Sequence, residues 1–410
     1  MWRDRLHRSA LLALFFSGMA TSVAMPQLTT FFVTDLGATL PQAGLYYLTN
    51  VTAPVVGFAL GRLSDRQADR LTLFRTGAVV GAVGWLAMGL STQLWMPFVV
   101  SVLALGVAGA AGAQVYAAVR DELNRRPSAG DAEVISTVRM GFTLGWVVGP
   151  VLGSAVGAAF GLRTVLFVTA ALAALQLVPM IGVKAPRFVS AAASSRQRDV
   201  SPRSRRASRR ALLPLLAFCG LAMVACCGDT VKFAYLPLYM NGQLHLPALT
   251  QGAVIGLQPV CELLLMPLAA AMAGRHGAMR VVMVGTVCSV LAHLAYATST
   301  GVAGLVAAQV LLSAMWAALA GLGVAVAQDL YPEGVGLASS TFMSSIVFAS
   351  TVGGLVGSLF VSHLGIPHVF VVPAVLSALA LAGMAVLARR AGRPTAAVTP
   401  EPESERVSAS

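Results

Sequence analysis

The chain has 410 residues, of which 57% are hydrophobic and 11% charged, with a mean hydropathy of +0.78. Soluble domains average about 45–50% apolar and about 25% charged residues, so this composition excludes a water-soluble globular protein and a disordered one alike. The net charge of +12 fits Lys and Arg gathered in cytoplasmic loops, and no basic face interleaved with aromatics appears, so nucleic-acid binding is not expected.

Hydrophobic runs fall at about 10–34, 42–61, 73–92, 97–118, 134–158 and 163–183, then at about 211–239, 248–273, 281–299, 302–327, 336–362 and 367–388. Each is near the roughly 20 residues that carry a helix across a bilayer. Six runs, a break and six runs predict an all-α polytopic membrane protein with twelve transmembrane helices in two six-helix halves. No alternating polar and apolar strands compete, which excludes a β-barrel. The first run has the outline of a secretory signal, with Arg3, Arg5 and Arg8 before it and Ser22-Val23-Ala24 within it. Its apolar character continues past Ala24 and eleven more runs follow, so an uncleaved first helix is expected.

Loop charges set the orientation. Apart from Arg139 and Lys232 inside runs, every Lys and Arg except Arg163 falls in one alternating set of segments. This is a strong positive-inside signal and puts both termini in the cytoplasm of a cell with the chain in its inner membrane. The expected divisions are a half over 1–184, a basic cytoplasmic linker over 185–210, a half over 211–390 and a disordered tail over 391–410. The linker's Ser content and like charges favour disorder. A functional alternative for it is contact with anionic lipid. Cys219, Cys226, Cys227, Cys261 and Cys288 all lie in apolar runs without metal or redox spacing, and read as small buried hydrophobes.

The halves echo each other. The fourth run ends in Val119-Arg120-Asp121-Glu122-Leu123, the tenth in Ala327-Gln328-Asp329-Leu330. The fifth carries Gly149-Pro150-Val151-Leu152-Gly153-Ser154, the eleventh Gly353-Gly354-Leu355-Val356-Gly357-Ser358. Two parallel six-helix repeats are a transporter plan, with the substrate site between them near the bilayer midplane.

After the second run comes Gly61-Arg62-Leu63-Ser64-Asp65-Arg66-Gln67-Ala68-Asp69-Arg70. This resembles the loop motif Gly-x-x-x-Asp-Arg-x-Gly-Arg-Arg of the major facilitator superfamily at Gly61, Asp65, Arg66 and Arg70, and departs from it at Ala68 and Asp69. The resemblance implies the major facilitator fold and a cytoplasmic latch, in which the Asp65 carboxylate beside arginines makes charge-assisted bonds across a closing seam. The fifth run holds Gly145, Gly149, Pro150 and Gly153, similar to the Gly-x-x-x-Gly-Pro-x-x-Gly-Gly motif of that superfamily's antiporters, with Ser154 in place of the last Gly. Small residues four apart let helices approach closely, and the proline frees a carbonyl. The fourth run, Leu103-Ala104-Leu105-Gly106-Val107-Ala108-Gly109, lacks the arginine usual in drug/proton antiporters.

Along nearly its whole length the chain resembles the sugar efflux transporter family. The matching stretches are Pro26 to Gly37, Tyr46-Tyr47-Leu48-Thr49-Asn50, Ser64-Asp65-x-Gln67-x-Asp69-Arg70, Arg120 with Asp121, Arg139 ahead of Gly145 and Gly149-Pro150, Glu262, and Gln328-Asp329-Leu330-Tyr331-Pro332. Asp69 fits this family where it departs from the broader motif. The resemblance implies export of sugars or small glycosides. Asp229 and Lys232 are particular to this chain.

Ionisable residues inside spans are functional candidates by default. Glu262, near the middle of its run, is expected to carry a proton as access alternates or to bond a sugar hydroxyl. Arg139 snorkels, pairs with a carboxylate such as Asp121, or contacts substrate. Asp229 and Lys232, three apart on one helix face, form a local salt bridge, or a gate or substrate contact at the outer mouth. Gln27, Asn50, Gln114 and Gln258 are polar candidates for the substrate lining. Trp316, Trp146, Tyr46 and Tyr47 are candidates for a stacking face. His293 reads as structural. No phosphate-binding loop or metal spacing is present, so neither enzymatic activity nor a cofactor is expected. The expected protein is a monomeric secondary transporter in the lipid bilayer, exporting sugars with protons as the coupling ion. The alternatives are a multidrug or other small-metabolite exporter and a non-transporting membrane sensor.

Overall fold

The computed structural model describes residues 5–57, 69–125, 131–185 and 204–391. Gly61, Asp65 and Arg66 of the expected latch lie outside these residues, as do most of the linker and the tail beyond 391. Of Arg70 only the backbone is described. No β-strand occurs among the described residues.

The helices follow the hydrophobic runs. They are α1 (Arg5–Thr34), α2 (Leu40–Leu45, a 3₁₀ stretch Tyr46–Val51 and helix again to 57), α3 (Arg70–Gly89), α4 (Trp95–Arg125), α5 (Asp131–Phe160) and α6 (Leu162–Met180, ending in a 3₁₀ turn at Val178–Met180). The second half holds α7 (Ser204–Gly242), α8 (Ala248–His276), α9 (Ala278–Thr298), α10 (Val302–Leu330), α11 (Val335–Leu364) and α12 (Val371–Ala391). Among the described residues all but α2 are long and apolar enough to cross a membrane by themselves; α2 is described only to residue 57. Helix α7 begins at Ser204, so the last residues of the segment read as linker are helical. Ala and Arg, both good helix formers, fill that turn.

Local irregularities have local causes. Pro26 interrupts α1 with a 3₁₀ turn at Met25–Gln27. Asp69 caps α3: its side chain accepts the Leu71 N–H at 2.9 Å and pairs with Arg75 at 3.6 Å. A side-chain oxygen at this position satisfies one of the free N–H groups that open a helix. Arg75 in turn donates to the Met180 carbonyl at 3.0 Å, tying α3 to the end of α6. Arg163, alone among loop cations on its side, donates to the carbonyls of Gly89 and Ser91 and stacks over Phe31.

The two halves are built alike. In the first, α5 packs along α1; in the second, α11 packs along α7. Each of these inner helices also crosses to the other half, α5 onto α8 and α11 onto α2. Exchanging the halves maps one set of contacts onto the other, as the sequence repeat implies. Glycine makes the approach possible. A Cβ on Gly145 would stand 2.5 Å from the Met19 backbone nitrogen, and one on Gly252 would stand 2.7 Å from the Pro150 carbonyl oxygen.

Odd-numbered helices run away from the side carrying the termini, and even-numbered ones return. Among the described residues, two hydrogen bonds join the halves on the far side. Ser358 donates to the Pro41 carbonyl at 2.7 Å and Tyr235 to the Leu40 carbonyl at 3.4 Å, while Asn50 donates to Ser350 Oγ at 3.1 Å nearer the middle of α2 and α11. Pro41 and Leu40 open α2, while Ser358 and Tyr235 stand late in α11 and α7. The seam is therefore sealed on the side opposite the termini.

Candidate functional site

A cavity of about 330 Å³ lies at the seam, on the termini side of the contact between α5 and α8. Helix α5 contributes Arg139, Phe142, Thr143 and Trp146; α8 contributes Ile255, Gln258, Pro259 and Glu262. Both sets have the spacing i, i+3, i+4, i+7, which places them on one helix face. Asp229 and Phe233 come from α7, and Trp316 and Ala320 from α10, each pair one turn apart. One wall thus belongs to the first half and three to the second. A larger cavity of about 530 Å³ is lined by the first half together with Met343 of α11 and shares Phe142, but its lining is mainly apolar, with Leu14, Phe74, Trp85 and Leu105. The ionisable chemistry converges in the smaller one.

Of the residues singled out from sequence, the structure brings together Arg139, Asp229, Gln258, Glu262, Trp146 and Trp316. Lys232 is fully buried behind the wall. Its Nζ donates to Asp229 Oδ1 at 2.6 Å and to Gln258 Oε1, and sits 4.0 Å from the centre of the Phe233 ring. One ammonium therefore orients three cavity-lining groups, the ring through a cation–π contact. The salt bridge expected between Asp229 and Lys232 is present, but at the cavity wall and not at an outer mouth. Ser313 donates to the Gln258 backbone carbonyl at 3.0 Å, which steadies that turn of α8.

Charges balance across the site. Arg139 faces it from one half, Asp229 and Glu262 from the other, and Lys232 stands behind. The rings of Trp146 and Phe233 meet across the seam, 5.8 Å between centroids. The indole N–H groups of Trp146 and Trp316 have no acceptor among the described residues. Pro259 has no N–H, so the Ile255 carbonyl loses its partner within α8. The cavity thus presents carboxylates, an amide and a guanidinium between aromatic faces.

The remaining candidates lie elsewhere. Gln27 donates to Ser154 Oγ at 3.1 Å within the first half. Asn50 donates to Ser350 Oγ across the seam, near the middle of α2 and α11. Gln114 is buried within α4. Tyr46 and Tyr47 are packed inside the core, Tyr47 bonded to Thr29 at 3.2 Å. Gly145, Gly149 and Gly153 face α1, and Pro150 meets Gly252 of α8. Phe142, Thr143, Phe233 and Pro259 were missed. For the first two, the signal was their position three and four residues beyond Arg139 on the same helix.

Comparison with known proteins agrees with this architecture. The model of the Major Facilitator Superfamily matches over residues 10–227 and again over 218–410. A Deinococcus radiodurans relative is 29% identical, covering 92% of this chain and 97% of its own. Sugar efflux transporter A of Dickeya chrysanthemi is 27% identical, covering 88% and 91%, and sugar efflux transporter A of Escherichia coli K12 is 25% identical, covering 92% and 94%. All three carry "sugar efflux transporter" in their names. A solved variant of the nucleoside transporter NupG has a TM-score of 0.77 at 15% identity, covering 94% of this chain and 99% of its own. A peptide-transporter (POT) family structure also reaches 0.77, at 14% identity, covering 94% and 96%. These structures share the fold. The protein is a multi-pass, non-enzymatic membrane transporter with resemblance to the sugar efflux transporters, and the chain belongs to the Major Facilitator Superfamily.

Proposed function

We propose that this transporter exports a sugar or small glycoside from the cytoplasm by alternating access, in exchange for protons. The observation that carries the reading is the seam cavity, where Arg139, Asp229, Gln258 and Glu262 stand between Trp146 and Trp316. Paired carboxylate and amide groups accept from vicinal hydroxyls, and an aromatic face covers the apolar side of a pyranose ring. Charge balance around the cavity suits a neutral solute. The names of the relatives point the same way.

In this reading both termini are cytoplasmic, the inner membrane is the location, and a monomer is the working unit. The far-side seal then corresponds to a state open toward the cytoplasm, ready to load. Glu262 is the coupling carboxyl. Ionised, it attracts Arg139 across the seam; protonated, it does not. Asp65 and its neighbours latch the cytoplasmic side in the opposite state.

The test is efflux of radiolabelled lactose and simple glucosides from preloaded vesicles, with and without an imposed proton gradient. Efflux that rises with the gradient supports sugar/proton antiport. Sugar efflux indifferent to the gradient removes the proton. No sugar movement overturns the substrate class and turns attention to drugs or another small metabolite.

A further inference from the structure

Behind the Asp229–Lys232 pair lies a second group of polar side chains that the cavity does not use. His293 and Tyr296 stand one turn apart on α9, and Gln309 comes from α10; all three are fully buried. Their ring centroids place His293 and Tyr296 6.1 Å apart. Among the described residues, His293 Nε2, Tyr296 Oη and both amide atoms of Gln309 have no hydrogen-bond partner. Buried polar atoms in native proteins are satisfied in the great majority, so a cluster of orphans points to a missing partner.

The histidine is the informative member. Its Nδ1 lies 2.7 Å from the Ser289 carbonyl oxygen, an acceptor, so Nδ1 carries a hydrogen and donates it. In the neutral ring that leaves Nε2 as a bare acceptor. Nε2 faces no donor; it lies against the backbone of Gly228 on α7, the residue before Asp229. Gly228 is small for this reason: a Cβ there would collide with Nε2 and Cε1 of the imidazole ring. The ring is thus admitted to the α7 backbone at the point where α7 carries its carboxylate.

We propose that His293 is a proton-binding site, linked through Asp229 to the transport cavity. A proton taken from water adds to the Nε2 lone pair, and no other bond changes. The imidazolium then donates from Nδ1 to the Ser289 carbonyl and from Nε2 toward the Gly228 backbone. Its charge is met by the Asp229 carboxylate. The charged groups acting on His293 are Asp229 and Lys232, both from α7. On its own helix stand the Tyr296 phenol and the Ser289 hydroxyl, while α12 presents the non-ionising Ser377 and Pro373. Among the described residues, the Asp229 carboxylate is ion-paired with Lys232. Proton uptake gives it a second cation to neutralise, which loosens Lys232 from Asp229 and Gln258. Both of these line the cavity, so the proton is felt where substrate binds.

This extends the proton-antiport reading, but its first test needs no substrate. The chain is labelled with ¹³C and ¹⁵N at histidine, reconstituted into lipid nanodiscs, and its six histidines are followed by magnetic resonance across the range of about pH 5 to 8 in which imidazole changes charge. The His293 resonance is identified by its loss in His293→Gln or, should that variant fail to fold, by its contact with the Tyr296 ring. The expected result is a His293 ring that passes from neutral to charged, and loss of that transition in Asp229→Asn. Gly228→Ala, which keeps the imidazole but displaces it from the α7 backbone, is expected to lose the transition too. A ring that stays neutral throughout overturns the proposal, and so does a transition unchanged in Asp229→Asn. A chain that moves no sugar yet titrates at His293 defeats the substrate reading alone.

Discussion

Lys232 reaches Asp229 at 2.6 Å from a position that water does not touch. The pair lies one turn apart on α7, and the ammonium also holds Gln258 on α8. A buried ion pair is costly to assemble and more costly to break, because removing one partner strands the other's charge. Lys232→Met is therefore expected to destabilise the folded protein by about 3–5 kcal/mol. The double variant Asp229→Asn/Lys232→Met, which strands nothing, is expected to recover most of that loss. Thermal unfolding in detergent reads both. A double variant no more stable than the single one would show that the two residues act independently.

The two tryptophans of the cavity separate stacking from hydrogen bonding. Trp146 and Trp316 line it from opposite halves, and each has an indole N–H without an acceptor. Aromatic contacts are worth about 0.5–1.5 kcal/mol beyond area burial, or roughly two- to tenfold in affinity. Replacement by Ala is expected to raise the KM for a transported glycoside by at least that factor. Replacement by Phe keeps the face and removes only a buried N–H, and is expected to cost less than replacement by Ala. Equal effects of Phe and Ala would assign the whole contribution to the N–H.

The spans and the repeat were legible because each rests on a local property. A run of about 20 apolar residues has one stable outcome in a bilayer, since every backbone group must be bonded within the segment. Glu262, Arg139, Asp229 and Gln258 were legible for a related reason: an ionisable or amide group in such a run is expensive unless it faces another polar group. The partners were not legible. Gln27, Asn50 and Gln114 have the same character as Gln258, yet only Gln258 reaches the cavity, because helix rotation depends on packing between helices and not on hydropathy. Thus Asn50 turns toward Ser350 of α11. His293 read as structural from its isolation in sequence; Gly228, which admits its ring to α7, lies 65 residues away by numbering and carries no signal of its own.

The glycines of α5 give a prediction about assembly. A side chain at Gly145 meets the α1 backbone, which cannot move aside without disturbing Phe15 and Met19. Overpacking of this kind costs about 1–3 kcal/mol and occasionally more. Gly145→Leu is expected to lower the midpoint of thermal unfolding. Gly112→Leu, at a position where a Cβ meets nothing within 4 Å, is expected to leave it unchanged. Equal effects would mean that α5 does not depend on this approach.

Glu262 and Arg139 enter the same cavity from different halves, so whatever changes the charge on Glu262 changes the attraction across the seam. Opposite charges favour closure of the two halves on each other; a neutral carboxyl leaves Arg139 to the substrate or to solvent. Glu262→Gln keeps the size and the hydrogen bonding of the protonated acid but cannot release a proton. It is expected to remove the response of sugar efflux to an imposed proton gradient while sparing exchange of sugar for sugar, which needs no net proton movement. Vesicle efflux measured with and without the gradient, alongside counterflow, distinguishes the two activities. An unchanged gradient response in Glu262→Gln rules that carboxyl out as the coupling group. If the response is instead lost in His293→Gln while counterflow persists, the coupling proton rides on the imidazole, and the cavity feels it through Asp229 and Lys232.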